Sequence, residues 1–241
     1  AGAKSRAPMP ARGWCDAMRL LIINPNTTAS MTETVAIAAR GVARQPDHVV
    51  AVNPETGPAA IQGAEDGARA LPGLFAVFER EVLSGDRFDG VIIACFDDTG
   101  LWELRARSSV PVVGIGEAGY HAAALLGPRF SVVTTLAVSI PVLEENIRRY
   151  GFADRCARVR ASGVPVLDIE GDEQRSRALI EAEVARAFEE DDVASVVLGC
   201  AGMANLADEL TRRFNRPVID GVAAAVGLCE TLHRATSPLR S

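Results

Sequence analysis

Lysine is nearly absent. Of 241 residues only Lys4 carries an ammonium group, and it lies in an irregular stretch ahead of the first convincing strand. That shortage removes several chemistries. A pyridoxal enzyme needs a Schiff-base lysine, a P-loop needs a lysine on its phosphates, and a nitrilase-type amidase sets a lysine beside its cysteine. Histidine is almost as scarce, and His48, His121 and His233 are far apart in the chain. The five cysteines, at positions 15, 95, 156, 200 and 229, contain no C-x-x-C pair. They spell neither a zinc signature nor a disulfide framework, so free thiols and no metal are expected. No apolar run approaches the roughly 18–20 residues of a membrane span, and no signal-type segment follows a basic start. A formal charge of -6, a pI near 5.2 and scattered arginines argue against nucleic acid or an anionic membrane surface as a partner. A cytoplasmic protein is the default expectation.

At 48 % apolar residues, the chain can bury a core as one large domain or as two lobes of about 100 residues each. Its apolar residues favour the second choice. Short runs of β-branched and aliphatic residues alternate with helical stretches, as in parallel sheets with helical crossovers. Residues 1–18 read as an irregular leader, in which Cys15 and Lys4 fall. Strands are then expected at 19–23, 48–52, 91–95 and 110–115, with helices over 29–44, 63–83 and 101–107. The second half repeats this order, with strands at 130–135, within 157–166, before Cys200 and at 217–220, and helices over 142–150, 173–190 and 204–214. The predicted fold class is α/β, with two pseudosymmetric lobes that each hold a mostly parallel four-stranded sheet. Residues 19–116 form lobe 1, joined by a C-terminal helix over 221–241 that packs back on it, and residues 117–220 form lobe 2.

Within that repeat, Cys95 in Ala94-Cys95-Phe96-Asp97-Asp98 and Cys200 in Leu198-Gly199-Cys200-Ala201-Gly202 close equivalent strands. Asn24 to Thr28 matches the Thr134-Thr135 loop in the same way, and all four loops fall at strand C-termini, where open α/β sheets bind ligands. Two lobes facing each other would enclose a cleft with one thiol from each side. Such a pair suits inversion at a carbon next to a carbonyl, with a base on one face and an acid on the other. A helix N-terminus after each cysteine is expected to stabilise a thiolate. Cys156 and Cys229 lack this context and read as packing.

Four further readings of the residues stand beside this one. Taken singly, each cysteine also reads as a small buried hydrophobe at a strand end, a reading that the matched positions in two halves weaken. Asp97 and Asp98 read first as helix N-caps; as carboxylates beside Cys95 they would raise its pKa and hold it as the proton donor. Asn24, Thr27, Thr28, Thr134 and Thr135 serve either as turn residues or as neutral donors and acceptors for an amide- or imide-like ligand. The run Gly114-Ile115-Gly116-Glu117-Ala118-Gly119 fits the dinucleotide fingerprint, but the next strand ends in Thr134-Thr135 where an acidic ribose partner belongs. A tight turn into a helix is the expected structure there.

The segments Ile22-Ile23-Asn24-Pro25-Asn26-Thr27-Thr28, Ala94-Cys95-Phe96-Asp97-Asp98, Val112 to Ala118, Thr134-Thr135 and Leu198 to Met203 together resemble the aspartate/glutamate/hydantoin racemase superfamily. The resemblance covers about residues 19 to 235 and is strongest to the hydantoin and allantoin racemase branch. It implies cofactor-independent racemisation of 5-monosubstituted hydantoins, allantoin included, in the interlobe cleft. Cys95 and Cys200 would be the two acid/base groups, and Asn24, Phe96, Thr134, Thr135, Gly199 and Ala201 would hold the ring. The family's amino-acid racemases place Asn-Thr after the first cysteine and Thr-His after the second. Here the followers are Phe96-Asp97 and Ala201-Gly202, which favours a cyclic ureide over a free amino acid. The expected partner is therefore a small-molecule cyclic ureide, and the expected assembly a homo-oligomer. The alternatives are a maleate-type cis–trans isomerase on the same fold and a non-catalytic small-molecule binder. Arylmalonate decarboxylation fits less well, because that relative keeps one cysteine of the two.

Overall fold

The computed structural model describes residues 18–85 and 87–236. Leader residues 1–17 and residues 237–241 of the predicted last helix lie outside this set.

Each apolar run is covered on both faces, so the strands are continuous hydrophobic segments rather than alternating ones. In β1 (Leu20–Ile23), β3 (Gly90–Ile93) and β4 (Val112–Gly114) every residue is buried, while β2 (Val49–Val52) is partly open at the sheet edge. These four strands form a parallel sheet in the order β2-β1-β3-β4. The second sheet contains β5 (Phe130–Thr134), β6 (Cys156–Ala161), β7 (Ser195–Gly199) and β8 (Val218–Asp220). Its order, β6-β5-β7-β8, is the same permutation, also wholly parallel. The duplication read from the sequence is therefore present in the topology.

The helices are α1 (Ala29–Val42), α2 (Ala64–Phe78), α3 (Leu101–Arg107), α4 (Ile115–Leu126), α5 (Ile140–Arg149), α6 (Asp168–Gly171), α7 (Glu173–Glu190), α8 (Ala207–Phe214) and α9 (Gly221–Thr236). Several ends differ from expectation for local reasons. Pro46 starts a 3-10 turn that takes His48 out of the second strand, whereas the helical stretch predicted over 63–83 is present as α2 continued by a π-helical turn, Glu79–Leu83. A 3-10 turn, Ala201–Leu206, separates Cys200 from α8. Among the described residues no helix is long and apolar enough to cross a membrane.

Helices α4 and α9 begin where the last strand of each sheet ends, and they pack together between the sheets. The central apolar cluster runs from Leu20, Ile22 and Ile92 through Ile115, Ala118, Val222 and Val226 to Phe130, Val132 and Val197. Two outer clusters cover the far faces, around Leu21, Ile23 and Phe78 on one side and Val133, Ile180 and Leu198 on the other. Full burial of each such side chain contributes about 1.5–3 kcal/mol. The shared central cluster holds the two sheets in a fixed relation, with the C-terminal ends of their inner strands at one site.

Candidate active site

In a 2-1-3-4 sheet the order reverses between the first and third strands, and ligands bind beyond their carboxyl ends. Both sheets obey this rule. Cys95 lies two residues beyond β3 and Cys200 directly follows β7, and the two thiols line one cavity between the lobes. The cavity holds about 380 Å³ of space not filled by protein, including its open mouth. Lobe 1 contributes Asn26, Met31, Ile61 and Ala94 to Asp97; lobe 2 contributes Thr134, Thr135, Ser139, Val166 and Gly199 to Ala201. Arginine, lysine and histidine are missing from the described lining. Among the described residues no cluster of His, Cys, Asp and Glu side chains is gathered as a metal site would require.

Of the residues singled out in the sequence, Cys95, Phe96, Thr134, Thr135, Gly199, Cys200 and Ala201 all face this cavity. Asn24 does not line it. Its buried amide donates to Asn26 Oδ1 (2.9 Å) and Thr32 Oγ1 (3.0 Å), and it is Asn26 that reaches the cavity. Thr27 and Thr28 are spent on the loop after β2, the Thr28 hydroxyl donating to the Ala59 carbonyl at 2.7 Å. Thr134 donates its hydroxyl to the Gly199 carbonyl at 3.1 Å, which ties the end of β5 to the residue before Cys200.

The thiols are not poised as helix N-termini would have made them. Helix α3 starts six residues after Cys95, and Cys200 leads into a 3-10 turn. Burial dominates instead. It pushes the Cys200 thiol up to about 11, partly relieved by the Gly202 N–H, with Asp97 and Glu170 adding a further rise. Cys95 is pushed higher still, first by burial and then by the Asp97 charge, against the Thr99 hydroxyl (3.6 Å from Sγ) and the Asp97 N–H. Both sites disfavour the charged form because little water reaches them.

Of the two acids expected as caps, Asp98 is one, though for a distant helix. It has a positive φ of 50° and accepts the Gly116 and Glu117 N–H groups of α4, at 3.0 and 2.7 Å, and the Tyr150 hydroxyl at 2.9 Å. This explains the dinucleotide-like glycines. A Cβ on Gly116 would strike the Phe96 carbonyl, one on Gly114 would strike Asp98, and one on Gly119 would stand 2.8 Å from Val197 Cγ1. The glycines let the cysteine loop and the sheet approach α4, and a carboxylate of the chain itself already occupies the anion-binding helix terminus.

Known proteins share this fold. The sequence profile described as Asp/Glu/Hydantoin racemase matches residues 20–229. The chain belongs to the Asp/Glu/Hydantoin racemase family. It is 43% identical over 215 residues to a hydantoin racemase of Rhizobium meliloti, covering 89% of this chain and 88% of that one. A hydantoin racemase of Pseudomonas sp. strain NS671 is 39% identical over 227 residues, 93% and 90% of the two chains. Among solved structures, an allantoin racemase from Klebsiella pneumoniae superposes with a TM-score of 0.86 at 39% identity, covering 91% and 89%.

The family's fold brings in residues that the sequence reading missed. Ile61 and Val166 come from equivalent loops, after β2 and after β6, and they meet over the cavity, where Gln62 Oε1 accepts the Val166 N–H at 3.0 Å. Gly63, with a φ of +90°, lets its loop approach lobe 2, since a Cβ there would come within 2.9 Å of the Val138 carbonyl. The internal duplication is the signal that would have found these loops. Their residues are apolar or amide-bearing and carry no chemical flag of their own.

Proposed function

We propose that this protein is an isomerase that interconverts the enantiomers of 5-monosubstituted hydantoins, allantoin among them, with Cys95 and Cys200 as the two proton-transfer groups. The carrying observation is a cavity that takes one thiol from each lobe and has no basic side chain in its described lining. A free amino acid or a diacid brings carboxylates into the site, and a buried carboxylate without a counter-charge is strongly disfavoured. A neutral cyclic ureide brings no such charge. Its carbonyls and N–H groups match amide, hydroxyl and backbone partners of the kind offered by Asn26, Thr134, Thr135, Phe96, Gly199 and Ala201. In this reading Asn24 acts through Asn26, by holding its side chain.

The proton at C5 is acidic because the adjacent carbonyl delocalises the charge. A thiolate on one face removes that proton, and the thiol on the other face returns a proton to the planar intermediate. The reverse reaction exchanges the roles. Raised thiol pKa values make the thiolate scarce but strongly basic, which suits a weak carbon acid. The relatives named hydantoin racemase and allantoin racemase support the same substrate class.

The test tracks the optical activity of enantiopure 5-benzylhydantoin and of allantoin with the purified protein, against protein-free controls. Decay to zero well above control, with solvent deuterium entering C5, is the expected result. Saturable binding without deuterium uptake would favour a non-catalytic binder, and a covalent cysteine adduct with maleate would favour the cis–trans isomerase.

A further inference from the structure

The reaction proposed above leaves one lining group without a task. Asp97 lies two residues beyond Cys95 and, among the described lining residues of the cavity, is the only one besides the thiols with an ionisable side chain. Its Oδ2 is buried and has no hydrogen-bond partner, while the Gly63 N–H is directed at the carboxyl group. Asn146 fixes the local backbone by donating from Nδ2 to the Asp97 carbonyl at 2.8 Å. A buried oxygen without a protein partner, at the wall of a ligand cavity, is a group that a ligand can match.

We propose that Asp97 works as a neutral carboxylic acid whose Oδ2–H donates a hydrogen bond to the substrate carbonyl beside the reacting carbon. The proposal rests on reading the reaction as proton abstraction next to a carbonyl. Three observations support it. The Gly63 N–H needs an acceptor oxygen, which leaves the acid proton for the unpartnered Oδ2. The chemistry needs one thiolate in this cavity, and an ionised Asp97 would set a second negative charge beside it. Beyond the Gly63 N–H the surroundings add acids rather than counter-charge: the neighbouring ionisable groups include Asp98 on the same loop, Glu170 from α6, Tyr120 and Glu117 from α4, Tyr150 after α5 and Asp66 on α2. Two cations on this side are engaged elsewhere, Arg105 with Glu117 at 2.5 Å and Arg149 over the Trp102 ring. Burial accordingly pushes Asp97 up to about 7, partly offset by the Gly63 N–H. A carboxylic acid kept neutral by its surroundings can stabilise developing enolate charge as a hydrogen-bond donor.

The productive form then has Asp97 protonated and one thiol ionised. Below Asp97's pKa each pH unit gains tenfold in thiolate, so kcat/KM climbs with unit slope. Above it the loss of neutral Asp97 cancels that gain and the profile bends flat near pH 7. In Asp97→Asn the amide donates without ionising, so the bend near pH 7 disappears and kcat/KM keeps rising above it. In Asp97→Ala the bend also disappears but the donor is lost, and kcat falls by about 10²–10³-fold relative to Asp97→Asn with a smaller change in KM. A readout independent of substrate is iodoacetamide alkylation of Cys95 and Cys200, mapped by mass spectrometry. At pH 9 both thiols should react about three- to tenfold faster in either variant, because a neighbouring negative charge is gone.

A bend that stays in place in Asp97→Asn would assign it to Asp98 or another group and overturn the proposal. So would a folded Asp97→Asn that is inactive at every pH, or an Asp97→Ala that turns over as fast as Asp97→Asn. If the native protein racemises none of the ring substrates, the functional reading fails instead. The alkylation profiles then decide alone, and coincident native and Asp97→Asn profiles would overturn the role of Asp97.

Discussion

Cys95 and Cys200 hold equivalent places in two sheets of identical strand order, yet their surroundings have diverged. In lobe 1 the cysteine loop is acidic and tied down: Asp98 bridges to α4 and to Tyr150, Thr99 leans on the sulfur, and Asp97 faces the cavity. In lobe 2 the thiol is succeeded by small residues in a 3-10 turn, with the Gly202 N–H as its main relief from burial. Duplication supplied two similar positions at one cleft, and the loops then set different proton affinities there. Two bases that meet enantiomeric faces of one carbon need not match in pKa.

The largest expected effect breaks the pair outright. Cys95→Ser and Cys200→Ser should each lower racemisation by about 10²–10⁴-fold, the scale of a lost proton-transfer group. Exchange of the C5 proton with solvent should persist for one enantiomer in each variant, and for opposite enantiomers in the two. Deuterium uptake measured on separated enantiomers checks this. Uptake by both enantiomers in either variant would remove that cysteine from the pair.

The lobes differ next in how they bury charge. At the edge of the second sheet, Arg160 is buried and binds Asp191 at 2.6 Å, Glu190 at 2.7 Å and Glu183 at 3.1 Å, while Ser131 donates to Asp191 at 2.7 Å. Burial raises Asp191, but Arg160 and Ser131 outweigh it and hold the carboxyl below the usual range. Replacing Arg160 with Met leaves Asp191 buried without its counter-charge and should cost about 3–5 kcal/mol of stability in denaturant titration. Lobe 1 has the opposite case, since burial first, and only partly its hydrogen bonds, sets Asp97 and Asp98 near 7. A carboxyl raised above its unfolded value contributes stability that is complete below the unfolded pKa and is lost as pH rises through the folded one. The melting temperature should therefore rise as pH falls from 8 to about 5, with about 1.4 kcal/mol gained for each tenfold by which folding raises a carboxylate's proton affinity. Asp191 works the other way, and its contribution is lost only as pH falls through its depressed pKa. In Asp98→Asn the rise on acidification should be smaller.

How much of this could be read from the chain depends on the same contrast. The strands were legible because fully covered strands are written as unbroken apolar runs, and the helix Glu173–Glu190 has the predicted bounds. That Cys95 and Cys200 line one cavity was legible because the duplicated sequence marks the position twice. Asp98 was legible as a cap but not as the cap of α4, because that contact spans 18 residues and depends on glycines that read as a nucleotide motif. Asn24 and Asn26 look alike in sequence, and only the hydrogen bond between them shows which one reaches the cavity. Thiol acidity was misjudged for a physical reason: proximity to a helix start was weighed and desolvation was not.

The smallest expected effect sharpens the comparison most directly. Cys200 is pushed up to about 11 and Cys95 higher, and part of the rise at Cys95 comes from Cys200 itself. Cys200 should thus hold the larger share of thiolate in the substrate-free protein. The more basic sulfur is the better nucleophile, with a Brønsted slope of about 0.4–0.5, so roughly half of the logarithmic advantage is returned. Limited iodoacetamide at pH 9 should label Cys200 several-fold faster than Cys95, with Cys229 slower than either because it is fully buried on α9. Equal rates at the two cavity thiols would mean that the stronger burial of Cys95 and the Asp97 charge do not separate the two sulfurs. Faster labelling of Cys95 would mean that the Thr99 hydroxyl and the Asp97 N–H outweigh burial, and that the resting thiolate belongs to lobe 1.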